Sequence, residues 1–473
     1  MHPSAGHIAY IVSHGFAARM LVQTNLLGRL RGSGFRVSLI ASHTEDPVLQ
    51  NYCSQHGISL LEFQSRRWIW KSHYGLYRSY FLEDLSMNPA LYEKHHFEIN
   101  RLQPRYKILK VVPRMLWFFQ RIFKKSTGLR KGFRWMEQIL LNDRPAKKIL
   151  AAQNIDLLVS TYPVNVHEGI LLHQAKKLKI STCIHLLSWD NITCKGHFYS
   201  TADWYLAWGP VMQSELRTYY TVSNDRIFVT GVPHFDLHEE MKTDVHSLHR
   251  LHSIGIDGTK SFILFGMSSP RFVPHEIDIV EWLAEQIEAD RFGPQLQLLI
   301  RPHPQNVQGG FADHRWLPRL EKLQSKRIHL MVPVLAKSRI PWSMELNDMQ
   351  LLSAALKHCL VCINSCSTLS IDALMSGKHN IAPMFDGSAV IPYWNAARRL
   401  LDYTHIKKFT SLGGTVVVSN YSELQAAIEK HLHQDHCFMD DLQFAKAMEC
   451  GNQMGNATEK VIDALSQMMI HNP

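Results

Sequence analysis

Short apolar runs separated by helix-like stretches recur along the whole chain, and no other feature limits the fold so much. In the first half the runs are HIAYIVS (7–13), RVSLIAS (36–42), IDLLVST (155–161), STCIHLLS (181–188), DWYLAWG (203–209) and DRIFVTG (225–231). A second series holds KSFILFG (260–266), LQLLIR (296–301), RIHLMVP (327–333), LVCINS (360–365), HNIAPM (379–384) and GTVVVS (414–419). Runs this short and this continuously apolar suit strands buried on both faces. A helix between successive strands returns the chain to the same end of the sheet, so the strands pair in parallel. The expectation is an α/β protein with two parallel sheets, each covered by helices on both faces. A chain of 473 residues exceeds one ordinary domain. The stretch VPHFD (232–236) is the predicted connection, giving domains 1–232 and 233–473, with an insert over about 65–145 in the first. Such sheets bind ligands beyond the carboxyl ends of their strands, and two of them facing each other make a cleft.

Composition narrows the class. The apolar fraction, 45%, is that of a globular protein. No apolar run reaches the length of a membrane-spanning helix. The opening, MHPSAGHIAYIVSHGF, reads as a first strand rather than a secretion signal. The cysteines at 53, 183, 194, 359, 362, 366, 437 and 450 are scattered, which suits a reducing, cytoplasmic setting. Cys359, Cys362 and Cys366 lie in an apolar run and read as small buried residues rather than metal ligands.

Three strand ends carry groups suited to an anion. LLIRPHPQN (298–306) holds Arg301 and His303 stiffly between prolines. Arg301 offers a two-pronged bond to phosphate, and His303 offers one donor. INSCSTLSIDALMSG (363–377) passes from strand to helix through Ser365, Ser367 and Thr368. A helix start presents free N–H groups and partial positive charge, and hydroxyls add donors. Helix capping alone is the alternative. FGMSSPRF (265–272) supplies Ser268, Ser269 and Arg271, with an ordinary turn as its alternative. Asp372 can serve the helix dipole without any ligand.

The second half, through RPHP (301–304) and NSCSTLSIDALMSGK (364–378), resembles the donor-binding domain of GT-B glycosyltransferases. SWDNITCKG (188–196), YLAWG (205–209) and RIFVTGVPHFD (226–236) resemble the same group. The resemblance is to bacterial surface-polysaccharide transferases and CDP-glycerol glycerophosphotransferases, and UDP-N-acetylglucosamine 2-epimerases share the architecture. It implies two Rossmann-like domains facing across a cleft. It also implies a nucleotide-activated donor, UDP-, CMP- or CDP-linked, and a surface-glycan or lipid-linked acceptor. In that family the histidine of an HP motif contacts donor phosphate opposite the Ser/Thr stretch, which assigns His303, Ser365, Ser367 and Thr368 to the donor. An acid at the place of Asp372 is often a ribose ligand there.

Transfer also needs a base for the acceptor. His14 and Asp190, beyond the first and fourth apolar runs, are the candidates, with Arg19, His167 and Glu168 on the acceptor side. Each has a structural alternative: a backbone hydrogen bond, an Asx-turn, or a helix terminus. The chain has no Asp-x-Asp metal motif, and cationic side chains can take the place of a cation, so no metal or other cofactor is expected.

The net charge, +10, is concentrated. Between Arg101 and Arg134 lie eleven Lys or Arg and no acid, enough to account for it all. Within PRMLWFFQRIFKK (113–125), Met115, Leu116, Phe119, Ile122 and Phe123 share one helical face, opposite Arg114, Arg121, Lys124 and Lys125. An anionic membrane surface, at the inner face of the plasma membrane, is the expected partner of 101–134. Packing of that face on the first domain is the alternative, and nucleic acid is not expected. The leading reading is a metal-independent glycosyltransferase. The alternatives are a sugar-nucleotide epimerase, a CDP-glycerol glycerophosphotransferase and a non-catalytic binding protein.

Overall fold

The structure is a computed structural model that describes residues 6–67, 74–101, 111–307, 313–340, 342–433, 439–451 and 455–470. Residues 102–110 of the basic insert and Cys437 lie outside the described residues. The chain forms two compact units. The first is Met1–Pro233 with Lys337–Ser343 and Thr458–Pro473, and the second is His234–Ala336 with Met344–Ala457.

The first unit is built on a parallel sheet of β1 (His7–Val12), β2 (Arg36–Ala41), β3 (Ser59–Glu62), β4 (Leu157–Ser160), β5 (Ser181–His185), β6 (Trp204–Ala207) and β7 (Ile227–Val229). Their order is β3-β2-β1-β4-β5-β6-β7, so the winding reverses between β1 and β4. Ile8, Tyr10, Leu39 and Val159 are among the residues that pack one face, and Ala9, Ile40, Leu158 and Ile170 pack the other. The closing helix, Ala457–Ile470, adds Val461, Leu465 and Met468 to the first of these clusters. The sequence reading places that helix in the second half; its apolar stripe instead completes the first core.

The second unit holds β8 (Phe262–Gly266), β9 (Gln297–Arg301), β10 (Ile328–Leu330), β11 (Cys362–Ile363), β12 (Asn380–Pro383) and β13 (Thr415–Val418). Their order is β10-β9-β8-β11-β12-β13, again parallel, with the reversal between β8 and β11. The apolar strands are largely buried; β8 runs from Phe262 to Gly266 without an exposed position.

Twelve predicted strands correspond to observed ones, and β3 is an addition. The apolar pattern of LVQTNLLGRLRGSG (21–34) reads as one amphipathic helix, but it is broken: Asn25 adopts φ 55°, and only Leu26–Gly32 continues beyond it as α-helix. Before it, HGFAARM (14–20), which reads as a loop in the sequence, holds a short helix, Gly15–Ala18, followed by a π-helical turn, Arg19–Gln23. Arg19 is thereby buried.

Candidate functional site

In the second unit the loops after β8, β9 and β11 leave one edge of the sheet side by side. β8 lies between the other two, with Gly266 level with Arg301 and Phe265 level with Ile363. Asn364, fully buried at the end of β11, fastens the arrangement. Its Nδ2 donates to the Gly266 carbonyl at 2.6 Å, and its Oδ1 accepts from Ser367 N–H at 2.7 Å and Ser370 Oγ at 2.9 Å. Cys366 takes the turn with φ 52°, a left-handed conformation. The helix Thr368–Met375 then starts with Ser367 as its cap, accepting from Leu369 N–H at 3.2 Å. Thr368 is half-buried at the helix mouth.

Glu276 joins two of the loops from beneath. It opens the helix Glu276–Glu288, is wholly buried, and accepts from Ser268 N–H at 2.5 Å and from the Ser365 hydroxyl at 2.9 Å. Burial outweighs these bonds and lifts its carboxyl to about 7. The β9 loop is fastened in turn: Asn306 Nδ2 donates to the Ser268 carbonyl at 3.3 Å, and the Ser269 hydroxyl donates to the Gln305 side chain. Thus Ser268, Ser269, His303, Ser365, Ser367 and Thr368 stand on three interlocked loops of one sheet edge. Arg271, farther along the β8 loop, holds its guanidinium 5.1 Å from the ring of Phe272.

His303 is half-buried, and its Nδ1 accepts from Gln305 N–H at 3.0 Å. Desolvation, reinforced by Arg301, lowers its pKa to about 4. The ring is therefore neutral near pH 7. With Nδ1 accepting, its proton sits on Nε2 as a donor.

Besides the buried Ser365 and Ser269 hydroxyls, which are held by Glu276 and Gln305, two further donor-side candidates are otherwise engaged. Arg301 is buried, and its guanidinium grips Asp348 with Nη1–Oδ1 at 3.1 Å and Nη2–Oδ2 at 2.5 Å. The fork that the sequence reading offers to phosphate serves the helix Leu346–His358 instead, because a carboxylate buried beside it needs a counter-charge. Asp372 accepts from His238 Nε2 at 2.8 Å, and His238 Nδ1 meets Ser353 Oγ at 2.9 Å. All three are buried, so Asp372 faces the core rather than a ribose.

The first unit gathers a different set at its own reversal point. Glu168, fully buried in the helix Val166–Lys177, accepts from Ser13 Oγ at 2.5 Å, Ser160 Oγ at 2.6 Å, and the N–H groups of Thr161 and Tyr162, each at 2.8 Å. It ties the β1 loop to the β4 loop, and burial raises its pKa against the pull of those bonds. Beside it, the His14 ring lies 5.5 Å from the Tyr162 ring. Its Nδ1 accepts from Phe16 N–H at 3.2 Å. Desolvation, then Lys195, lowers its pKa to about 4, with Asp190 opposing. Its neutral form therefore presents Nε2–H, a donor rather than a base. Asp190 pairs with Lys195 at 2.9 Å, and that carboxylate raises the Lys195 pKa. Lys195 is the functional candidate that sequence reasoning passes over, although it stands five residues from Asp190. His167 turns elsewhere: its Nδ1 accepts from Ser65 N–H at 3.3 Å, and desolvation lowers its pKa.

Among the described residues, no group of three His, Cys, Asp or Glu side chains is arranged to hold a metal ion. No protein-family model matches the chain, and no curated protein matches it. Solved structures do. S. aureus MnaA, in a co-structure with UDP, aligns over 99% of this chain and 98% of its own at TM-score 0.55 and 11% identity. UDP-GlcNAc 2-epimerase from Neisseria meningitidis, bound to UDP-GlcNAc, aligns over 98% and 99% at TM-score 0.52 and 12% identity. A glycosyltransferase from Rickettsia africae aligns over 99% of both chains at TM-score 0.52 and 11% identity. The fold is GT-B, with two Rossmann-like α/β domains, and these neighbours of the fold are epimerases and glycosyltransferases.

Proposed function

We propose that the protein is a glycosyltransferase that takes a sugar from a nucleotide-activated donor and delivers it to a surface-glycan or lipid-linked acceptor at the inner face of the membrane. The observation that carries this reading is the interlocking of the β8, β9 and β11 loops at one sheet edge. There His303 Nε2–H, the Thr368 hydroxyl and the partial positive charge at the start of the helix Thr368–Met375 form a neutral set of groups for the leaving phosphate. Preorganised donors of this kind stabilise developing charge without a divalent cation, so turnover is expected to need no metal. Among UDP-, CMP- and CDP-linked donors, the UDP and UDP-GlcNAc complexes of the structural neighbours favour uridine.

On the acceptor side, Asp190 is the proposed base. His14 Nε2–H and the Lys195 ammonium orient the acceptor and steady the charge on Asp190. A sugar-nucleotide epimerase is the second reading, favoured by the epimerases among the neighbours, and it uses the same donor loops without an acceptor.

A nucleotide thermal-shift series tests the donor site: UDP raises Tm more than CMP or CDP, and His303→Ala or Thr368→Ala removes the shift. Incubation with UDP-GlcNAc alone then separates the readings. Epimer formed without acceptor identifies the epimerase, whereas UDP released only with acceptor identifies the transferase. Asp190→Asn is expected to lower turnover by roughly two to four orders of magnitude, and unchanged turnover removes Asp190 from the chemistry.

A further inference from the structure

The helices Val111–Phe123 and Thr127–Leu140 carry apolar surface that the fold leaves uncovered. Both pack on the helix Tyr74–Leu82, where the Phe81 ring lies 4.9 Å from that of Phe123 and 4.8 Å from that of Phe133. Leu116 and Gln120 are buried on the first helix, and Glu137 on the second is buried against Arg78 in an ion pair of 2.6 Å. The face expected from sequence is therefore divided: Leu116 and Phe123 turn to the protein, while Met115, Phe119 and Ile122 are exposed, as is Phe118 outside that face. On the second helix, Trp135 is 69% exposed, with Met136 and Ile139 also exposed on the side away from Phe133 and Glu137. Among the described residues, eight of twenty exposed large apolar side chains fall between Met115 and Ile139. Scattered exposure needs no explanation, but this concentration does.

Charge indicates what covers it. Arg114, Arg121, Lys125, Lys131 and Arg134 are exposed on the same two helices and the turn between them. The one acid from 114 to 140 is the buried, paired Glu137, so nothing in this stretch neutralises them. A second copy would bring the same charge and repel it. A phosphate-rich polymer would satisfy the cations but leave Met115, Ile122, Met136 and Ile139 in water. An anionic bilayer satisfies both, because aromatic and aliphatic side chains enter the headgroup boundary while the cations meet lipid phosphate. We infer that the face formed by Met115–Ile122 and Trp135–Ile139 is a docking surface for anionic lipid, independent of the donor chemistry proposed above. No helix of the described residues is long and apolar enough to cross a membrane, so the docking is interfacial.

Co-sedimentation of the full chain with phosphatidylcholine vesicles, with and without phosphatidylglycerol, tests this. Binding is expected with phosphatidylglycerol and should fall as salt rises. Phe118→Ser with Phe119→Ser, or Trp135→Ala, should weaken it about tenfold or more, and Arg121→Gln about fivefold. Phe444→Ser, at an exposed aromatic outside the two helices, should leave it unchanged. Should the serine double variant fail to fold, Arg121→Gln and Trp135→Ala carry the test. Equal binding to neutral vesicles, or variants that bind as the parent does, overturns the inference. So does a dimer dissolved by the same substitutions, or oligonucleotide binding as strong as vesicle binding.

Discussion

One ion pair stands beyond a strand end in each half of the molecule, and the two differ in burial. Asp190 and Lys195 keep 21% and 40% of their side-chain surface exposed. Arg301 and Asp348 keep 7% and 2%. The buried pair is closed on itself: both outer guanidinium nitrogens face one carboxylate, which also accepts from Val334 N–H at 3.1 Å. The open pair retains side-chain surface that solvent reaches. A charged side chain beyond a strand end is thus not in itself a ligand-binding group. Its partner and its depth decide whether it supports the fold or meets a reactant.

The largest expected effect lies with the closed pair. Arg301→Met strands Asp348 in the interior and is expected to lower unfolding free energy by about 3–5 kcal/mol in urea titration. An unchanged midpoint would break the contrast, since Arg301 would then be as expendable to the fold as a surface cation.

A second test compares the two buried glutamates that join the loops. Glu276 has two donors where Glu168 has five. Its carboxyl is raised from 4.5 to about 7. Between those values the folded state holds a proton that the unfolded state has released. Stability therefore falls as pH rises through that window, by about 3 kcal/mol in total. Glu276→Gln, which cannot ionise, should remove that portion of the slope in urea titrations across pH.

Smaller effects follow. Ser367→Ala removes a helix cap and should cost about 1 kcal/mol, whereas Thr368→Ala should spare stability and reduce nucleotide binding in the thermal-shift series. Least of all, Lys195→Met should change unfolding free energy by under about 1 kcal/mol while depressing turnover. A large loss of stability there would make the open pair structural after all.

Strands are the most legible part of the sequence because burial on both faces writes them as continuous apolar runs. β3 is hard to read because Ser59–Glu62 is exposed at both ends and only half-buried between them. The break at Asn25 is hidden because its surroundings keep a helical apolar pattern while the backbone turns left-handed. The three loops after β8, β9 and β11 can be placed at strand ends, but their fastening cannot. The partner of Arg301 lies 47 residues away, with no local sign of the pairing. Asp372 likewise meets His238 across 134 residues. Asn364 is visible as a polar residue closing an apolar run, yet its hold on Gly266 depends on β8 and β11 being neighbours. Lys195 is within reach of sequence reasoning, since an opposite charge near Asp190 in a short loop invites pairing.

The terminal helix Ala457–Ile470 has a consequence for biogenesis. Val461, Leu465 and Met468 pack with Ile8, Tyr10 and Leu30, so β1 waits during synthesis for a helix made much later in the chain. The first sheet cannot seal one flank during translation, and its nascent form exposes an apolar groove until residues 457–470 arrive. Expression of 1–232 alone should accordingly yield a sticky, chaperone-bound fragment, and supplying the terminal helix as a separate peptide should rescue its solubility.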